Sequence, residues 1–376
     1  MNELWDVAAY VWPSYTGDEP RTRGFWPEGN GEWQTVQSAT SGDNPQLRQP
    51  LWGYCNEADP KVMEMQISEA LKHGVNTFIY DWYWYDGRPF LEQCLNNGFL
   101  GAKNNEQMNF YLMWANHDVG NVWDKRIAHY EDNVIWRGAL FDNEFNRMTE
   151  RVIEKFFTKP NYYQIAGSPV FAIYELANFL AGFDNLEEAK AGILSFRERT
   201  KARGFNGLNL QLIVWALTDF EVVKNGVKIK MPVNEIANFL GFDSVTHYQY
   251  VHFAKLNRDY SEIMVDVVKE WHLISEKFEA TYFPHVSIGW DNQIRYSVKR
   301  DSTAPENSEI FNNPPAEIES ALKAAKQFLI EKEVNPKLVT INSWNEWTEC
   351  SYLEPDHLHG YGYLEAVART FTDQAG

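Results

Sequence analysis

Only three of the 376 residues are cysteine. Cys55, Cys94 and Cys350 are odd in number and lack metal-type spacing, which argues against a disulfide framework and against a zinc site. Basic residues are also scarce. Thirty-four Lys and Arg against 52 Asp and Glu leave a formal charge of −18, which works against holding nucleic acid or an anionic membrane by bulk charge. No run approaches the roughly 18 apolar residues of a membrane span, and the first five residues lack the basic region and hydrophobic core of a signal peptide. Because residues 5–10 already read as a first core strand, removal of a signal peptide stays compatible with the sequence. Localisation is left open between the periplasm or extracellular space and the cytoplasm. No glycine-rich phosphate loop follows the first strand, and neither His-Glu-x-x-His nor Asp-x-Asp at a strand end is found, so no cofactor and no metal is expected. Repeats and low-complexity linkers are missing as well, which favours one domain over residues 1–376; oligomeric state is not legible.

What is present is apolar and aromatic. Hydrophobic residues make 44% of the chain and aromatics 15%, enough for a large core with rings to spare for stacking on the apolar faces of sugars. Eight strand-like runs stand out, at 5–12, 76–84, 109–116, 169–175, 209–216, 244–250, 281–290 and 337–344. Helical patterns occupy most of the gaps: 59–73, capped by Asp59 with Pro60 in its first turn and Gly74 at its end, then 187–203, 233–240, 261–278 and 316–332. The order is strand then helix, repeated, and eight such strand-led units predict a (β/α)8 TIM barrel with extended βα loops. The stretches 13–50 and 117–141 are long for simple connections and follow strand ends, where they would wall a substrate cleft.

Polar and aromatic residues gather at those strand ends. They include Tyr10 and Trp12; Asp81, Trp82 and Trp84; Trp114 and Asn116; Glu175; Tyr248; Trp290, Asp291 and Asn292; and Trp344 and Asn345. Alternate members of 82–85 must point away from the barrel interior. Asp81 and Glu175 read equally well as buried structural acceptors and as sugar ligands. His247 and His285 read as hydrogen-bonded structure.

The segment 341–356 is the most informative, with four carboxylates and three aromatics behind a buried strand. Glycosidic cleavage needs one group to protonate the departing oxygen and another to handle developing positive charge, and Glu346 and Glu349 supply such a pair. Three residues apart, they share a face only if the chain turns like a helix, so the turn after the eighth strand has to bring them together.

Trp344-Asn345-Glu346-Trp347-Thr348-Glu349, followed by Tyr352-Leu353-Glu354-Pro355, resembles the signature of the glycoside hydrolase family 99-like proteins, including the group labelled WbsX-like glycosyltransferases. Tyr80-Asp81-Trp82-Tyr83-Trp84-Tyr85-Asp86-Gly87, Trp114-Ala115-Asn116, 168–174 and Gly289-Trp290-Asp291-Asn292 are similar to the group's other strand motifs, so the resemblance spans nearly the whole chain. It implies a (β/α)8 fold and, for the hydrolases, metal-independent retaining cleavage of α-mannoside-type linkages inside a glycan. It also implies that Glu346 acts as base on the sugar's 2-hydroxyl, giving an epoxide-like intermediate, and that Glu349 is the general acid/base, with Tyr10 and Trp12 at the reacting sugar. Two departures stand out: Cys350 where the family usually has glycine, and His117 where WbsX-like members tend to carry an acid. The leading expectation is a glycoside hydrolase with an oligo- or polysaccharide partner. The alternatives are a WbsX-like glycosyltransferase of polysaccharide synthesis and a non-catalytic glycan-binding barrel.

Overall fold

In the computed structural model, which describes residues 5–17, 19–40, 49–124, 126–128, 133–295 and 308–372, the eight expected strands are all present. They are β1 (Asp6–Val11), β2 (Thr77–Tyr85), β3 (Asn109–Trp114), β4 (Ser168–Ile173), β5 (Asn209–Ile213), β6 (Ser244–Thr246), β7 in two pieces (Thr281–Tyr282 and His285–Ser287) and β8 (Leu338–Asn342). Neighbours pair in parallel around the sheet, and β1 joins both β2 and β8. The first piece of β7 pairs with β6 and the second with β8. Phe283 and Pro284 carry the ladder between them through bonds to Val245 and Thr340. The ring therefore closes through β7, whose proline explains why one predicted strand is split in two.

Five helices fall where their caps and periodicity place them: Pro60–Lys72, Leu186–Ala202, Val233–Leu240, Tyr260–Lys277 and Pro315–Glu331. Asp59 caps the first of these by accepting the Lys61 amide at 2.9 Å, and Gly74 follows at φ +87°. Several features were not expected. Helices form at Trp33–Thr40, Glu144–Val152, Leu176–Ala181 and Gly362–Phe371, and an antiparallel hairpin joins Asp219–Lys224 to Val227–Pro232. The hairpin had a local signal, because its turn is Asn225-Gly226, both at positive φ, as a two-residue hairpin turn requires. Its second strand alternates apolar residues with lysine (Val227, Lys228, Ile229, Lys230, Met231), the pattern of a half-buried strand and not of a barrel core strand.

The barrel interior beneath the cleft is polar and fully paired in places. Tyr111 donates to Gln211 at 3.1 Å, Thr246 and Thr340 bond at 2.8 Å, and the Tyr10 hydroxyl donates to the His247 carbonyl at 3.0 Å. Both histidines lie here, as read from sequence. Burial pushes His247 down to about 4 and holds His285 well below the usual imidazole range, so each stays neutral at physiological pH. The strand pleat decides what reaches the cleft above. Along β2, Asp81 and Tyr83 face inward. Trp82 and Trp84 face the helical layer, where their indoles donate to Glu92 at 2.9 Å and Glu144 at 3.0 Å. Among the described residues no helix is long and apolar enough to cross a membrane.

Candidate active site

At the C-terminal end of β8 the chain makes a tight reversal. Asn345–Glu346 pairs antiparallel with Ser351–Tyr352, and a 3-10 turn, Trp347–Glu349, lies between them. The rings of Trp347 and Tyr352 stack at 3.7 Å across this reversal. Cys350 closes the turn at φ +52°. A left-handed backbone there favours glycine, which gives a physical reason for the glycine that the resemblance leads one to expect in place of Cys350. The turn supplies the convergence that spacing alone could not, since both Glu346 and Glu349 line one cleft of about 250 Å³.

The cleft is walled by Trp12 from the end of β1, Asp81 and Tyr83 from β2, His117 and Trp123 from the stretch after β3, Tyr174, Trp215 and Tyr248. Both long insertions contribute to the site. The second provides His117 and Trp123, and the first provides Glu32, whose carboxylate accepts from Ser14 at 3.1 Å and from the Trp12 indole. Gly31 is required for this approach: a Cβ there would sit 1.8 Å from the Ser14 carbonyl oxygen.

Arg295 organises the centre. Its guanidinium donates to Glu349 at 2.6 Å, to Glu346 at 2.8 Å and to Glu32 at 3.4 Å. Burial alone would lower the Arg295 pKa, but three carboxylates outweigh it and hold the group well above its ordinary value. Glu346 is raised well above the usual carboxylate range by burial and by the charge of Glu349, with Arg295 opposing. Glu349 is raised by burial, again against Arg295. Two buried acids that repel across one cation favour a state with one proton between them, which suits an acid and a base working together. Asp81 is also pushed well up by burial, although the Tyr248 hydroxyl donates to it at 2.8 Å. One oxygen of Asp81 and one of Glu349 meet no partner among the described residues, and buried polar oxygens without partners call for an explanation such as a bound water, an ion or a catalytic role.

The remaining sequence-selected residues divide by position. Trp12, Asp81 and Tyr248 lie in the cleft with the two glutamates. Tyr10 lies below it, in the barrel interior. Trp82, Trp84 and Trp114 lie outside it, toward the helices, with Trp114 against Phe145. Asn116 brackets the backbone of Glu175, accepting from its amide and donating to its carbonyl at 2.8 Å each. Asp291 and Asn292 support the Arg295 turn: the Asp291 amide donates to the Glu349 carbonyl at 2.8 Å, and the Arg295 amide donates to the Asn292 carbonyl at 3.1 Å. Trp290, just before them, donates its indole N–H to Ser308 at 3.1 Å. Sequence reasoning missed Arg295 and Glu32. Nothing local marks either one, because their roles arise from contacts across 263 residues of chain.

Trp344 and Asn345 lie behind the cleft in a second buried network. Asn345 exchanges hydrogen bonds with the Trp12 backbone at 2.8 and 2.9 Å and donates to both oxygens of Glu57. Gln66 donates to Glu57 at 3.3 Å and to Glu354 at 2.7 Å, and accepts from the Trp344 indole. Trp347 donates to Glu354 at 2.6 Å. This network fixes the backbone that presents both cleft glutamates. Burial, opposed by these donors, pushes Glu57 up to about 7. A carboxyl raised in the folded state contributes stability that is full below about pH 4.5 and is lost as pH rises through about 7, a loss of about 3 kcal/mol. The melting temperature is expected to fall between pH 5 and pH 8, and Glu57→Gln to flatten that fall. Calorimetry at each pH checks this, and an undiminished slope in the variant would assign the effect to other groups.

A curated relative in Xanthomonas campestris pv. campestris, described as the uncharacterized protein WxcX, is 24% identical over 364 residues, covering 94% of this chain and 48% of that protein. The chain thus spans about half the length of the curated relatives it matches. Among solved structures, a glycoside hydrolase-like protein superposes with a TM-score of 0.62 at 16% identity, covering 99% of this chain and 95% of the other. A GH99 endo-alpha-mannosidase from Bacteroides thetaiotaomicron gives 0.56 at 16% identity, covering 96% and 95%. At such identities the likeness is one of fold, a TIM-barrel glycoside hydrolase architecture. The profile described as Glycosyltransferase WbsX matches residues 7–367, and the chain belongs to that family.

Proposed function

We propose that the protein is a glycoside hydrolase that cleaves an α-mannoside-type linkage within a complex glycan, with retention of configuration. The observation that carries this reading is the pair Glu346 and Glu349, converging on one aromatic-walled cleft and tied to one guanidinium. In the proposed reaction Glu346 takes the proton of the sugar's 2-hydroxyl as that oxygen closes on the anomeric carbon. The glycosidic bond breaks, and Glu349 protonates the leaving oxygen. Glu349 then takes a proton from water as the water opens the epoxide-like ring, and the 2-oxygen recovers its proton from Glu346. Tyr83, Trp12 and Trp123 wall the cleft with aromatic rings, the unpartnered oxygen of Asp81 awaits a sugar hydroxyl, and that of Glu349 is the one assigned to the leaving oxygen.

The family description favours a second reading, transfer of a sugar to a growing polysaccharide. The charge of the cleft weighs against a nucleotide-diphosphate donor. Among the described residues that line it, Arg295 is the one permanent cation, and three carboxylates already engage it. His117 is held below its ordinary value by burial and stays neutral. A diphosphate brought here would meet acidic oxygens rather than free donors. Mass spectrometry of products from α-mannosidic glycans, in parallel with nucleotide-sugar donors, tests both readings. Shortened glycan is the expected product, whereas nucleotide release coupled to glycan lengthening would overturn the hydrolase reading.

A further inference from the structure

A second cavity, of about 300 Å³, adjoins the cleft. Trp215 lines both cavities, and the rest of the second is formed by Glu175, Ala216, Thr218, Phe220 and His252 among others. Trp215 is 37% exposed, unusual for so large a ring at a barrel mouth. It is nonetheless fixed. Its indole donates to the Tyr174 carbonyl at 3.1 Å, and one face lies flat on His252 at 4.4 Å and 8°. Burial pushes His252 down to about 3, so the imidazole backs the indole as a neutral plate, and its Nδ1 has no partner among the described residues. Glu175, which also lines the cavity, is held by the Asn116 bracket on its backbone and by the Asn178 amide at 3.2 Å on its carboxylate.

A rigid, half-open indole faced by an anchored carboxyl is the arrangement that binds a pyranose ring: the apolar face stacks and the hydroxyls bond to the acid. We propose that this cavity is a distal sugar subsite, which takes a neutral hexopyranose unit of a glycan whose neighbouring portion occupies the cleft. The inference rests on the glycan reading above and deepens it. A site with one room fits a chain end, whereas two rooms sharing a tryptophan wall recognise a run of sugars. Glu175 and Trp215 would then set the chain length the protein prefers. They would have no part in bond cleavage.

The test is calorimetric binding of linear α-mannose oligosaccharides of two to five units to the Glu349→Gln protein, so that no turnover intervenes. Affinity is expected to rise by about tenfold once the chain is long enough to reach the second cavity, the scale of one aromatic stacking contact. Trp215→Ala should abolish that step. So should Thr218→Trp, which fills the cavity from a position that does not line the cleft; circular dichroism confirms that both variants fold. A flat ladder, absence of binding at every length, or a step that survives both substitutions would overturn the subsite. Turnover by the unsubstituted protein on the same sugars reports separately on the hydrolase reading: no cleavage with the step intact removes the activity and leaves the subsite, while Glu349-dependent cleavage without the step does the reverse.

Discussion

Glu349→Gln is expected to lower turnover of a cleavable glycan by about 10²–10⁴-fold, the usual contribution of a positioned general acid/base, while the dissociation constant of the same glycan changes little. The amide keeps the shape of the carboxyl and can still accept from Arg295, whose 2.6 Å bond to Glu349 Oε1 orients the group. What it loses is the exchangeable proton at Oε2, the oxygen without a partner among the described residues. A fall in kcat without a matching rise in KM identifies an interaction made only in the transition state. If the glycan instead bound tenfold more weakly and was cleaved at an undiminished kcat, Glu349 would be a hydroxyl acceptor and the acid would have to be sought elsewhere. The variant also separates the hydrolase from a non-catalytic glycan-binding barrel, which has no turnover to lose.

The barrel was legible because its information is local. Eight buried runs, caps such as Asp59 and stop signals such as Gly74 each depend on neighbours in sequence. The glutamate pair was legible for the same reason, through a compact motif. What escaped was everything set by the direction of a side chain or by long-range convergence. Trp82 and Asp81 are adjacent, yet the pleat sends one to the helices and the other to the cleft, and a run of aromatics does not reveal which parity faces in. Glu32 sits in a loop whose course depends on Gly31 packing against Ser14. Arg295 lies three residues beyond the Gly289-Trp290-Asp291-Asn292 run, and it becomes significant only because the β8 turn brings two carboxylates to it. The long insertion was identified as a cleft wall, whereas the acid it delivers was not.

Arg295→Met should have the largest effect on stability, a loss whose size depends on pH. The guanidinium is buried against Glu346 and Glu349, and both acids already stand above the usual carboxylate range despite its opposing charge. Removing it while conserving much of its volume leaves buried acids without their cation, a loss of about 3–5 kcal/mol when they are ionised. Their folded-state pKa values then rise further above the unfolded ones. Stability is therefore retained at low pH, where folded and unfolded forms are both protonated, and is lost as pH rises through the folded values. The variant is expected to melt close to the parent at pH 5 and far below it at pH 8, in scanning calorimetry. The acid limb of the rate profile should move to higher pH as well, because the base Glu346 must ionise without help. Arg295→Lys separates charge from geometry: a single ammonium restores part of the stability at pH 8, but it cannot bond Glu32, Glu346 and Glu349 at once as the forked guanidinium does. Turnover should stay low in that variant. Equal destabilisation of Arg295→Met at pH 5 and pH 8 would instead show that Arg295 acts by filling space, and the charge coupling assigned to the pair of glutamates would have to be abandoned.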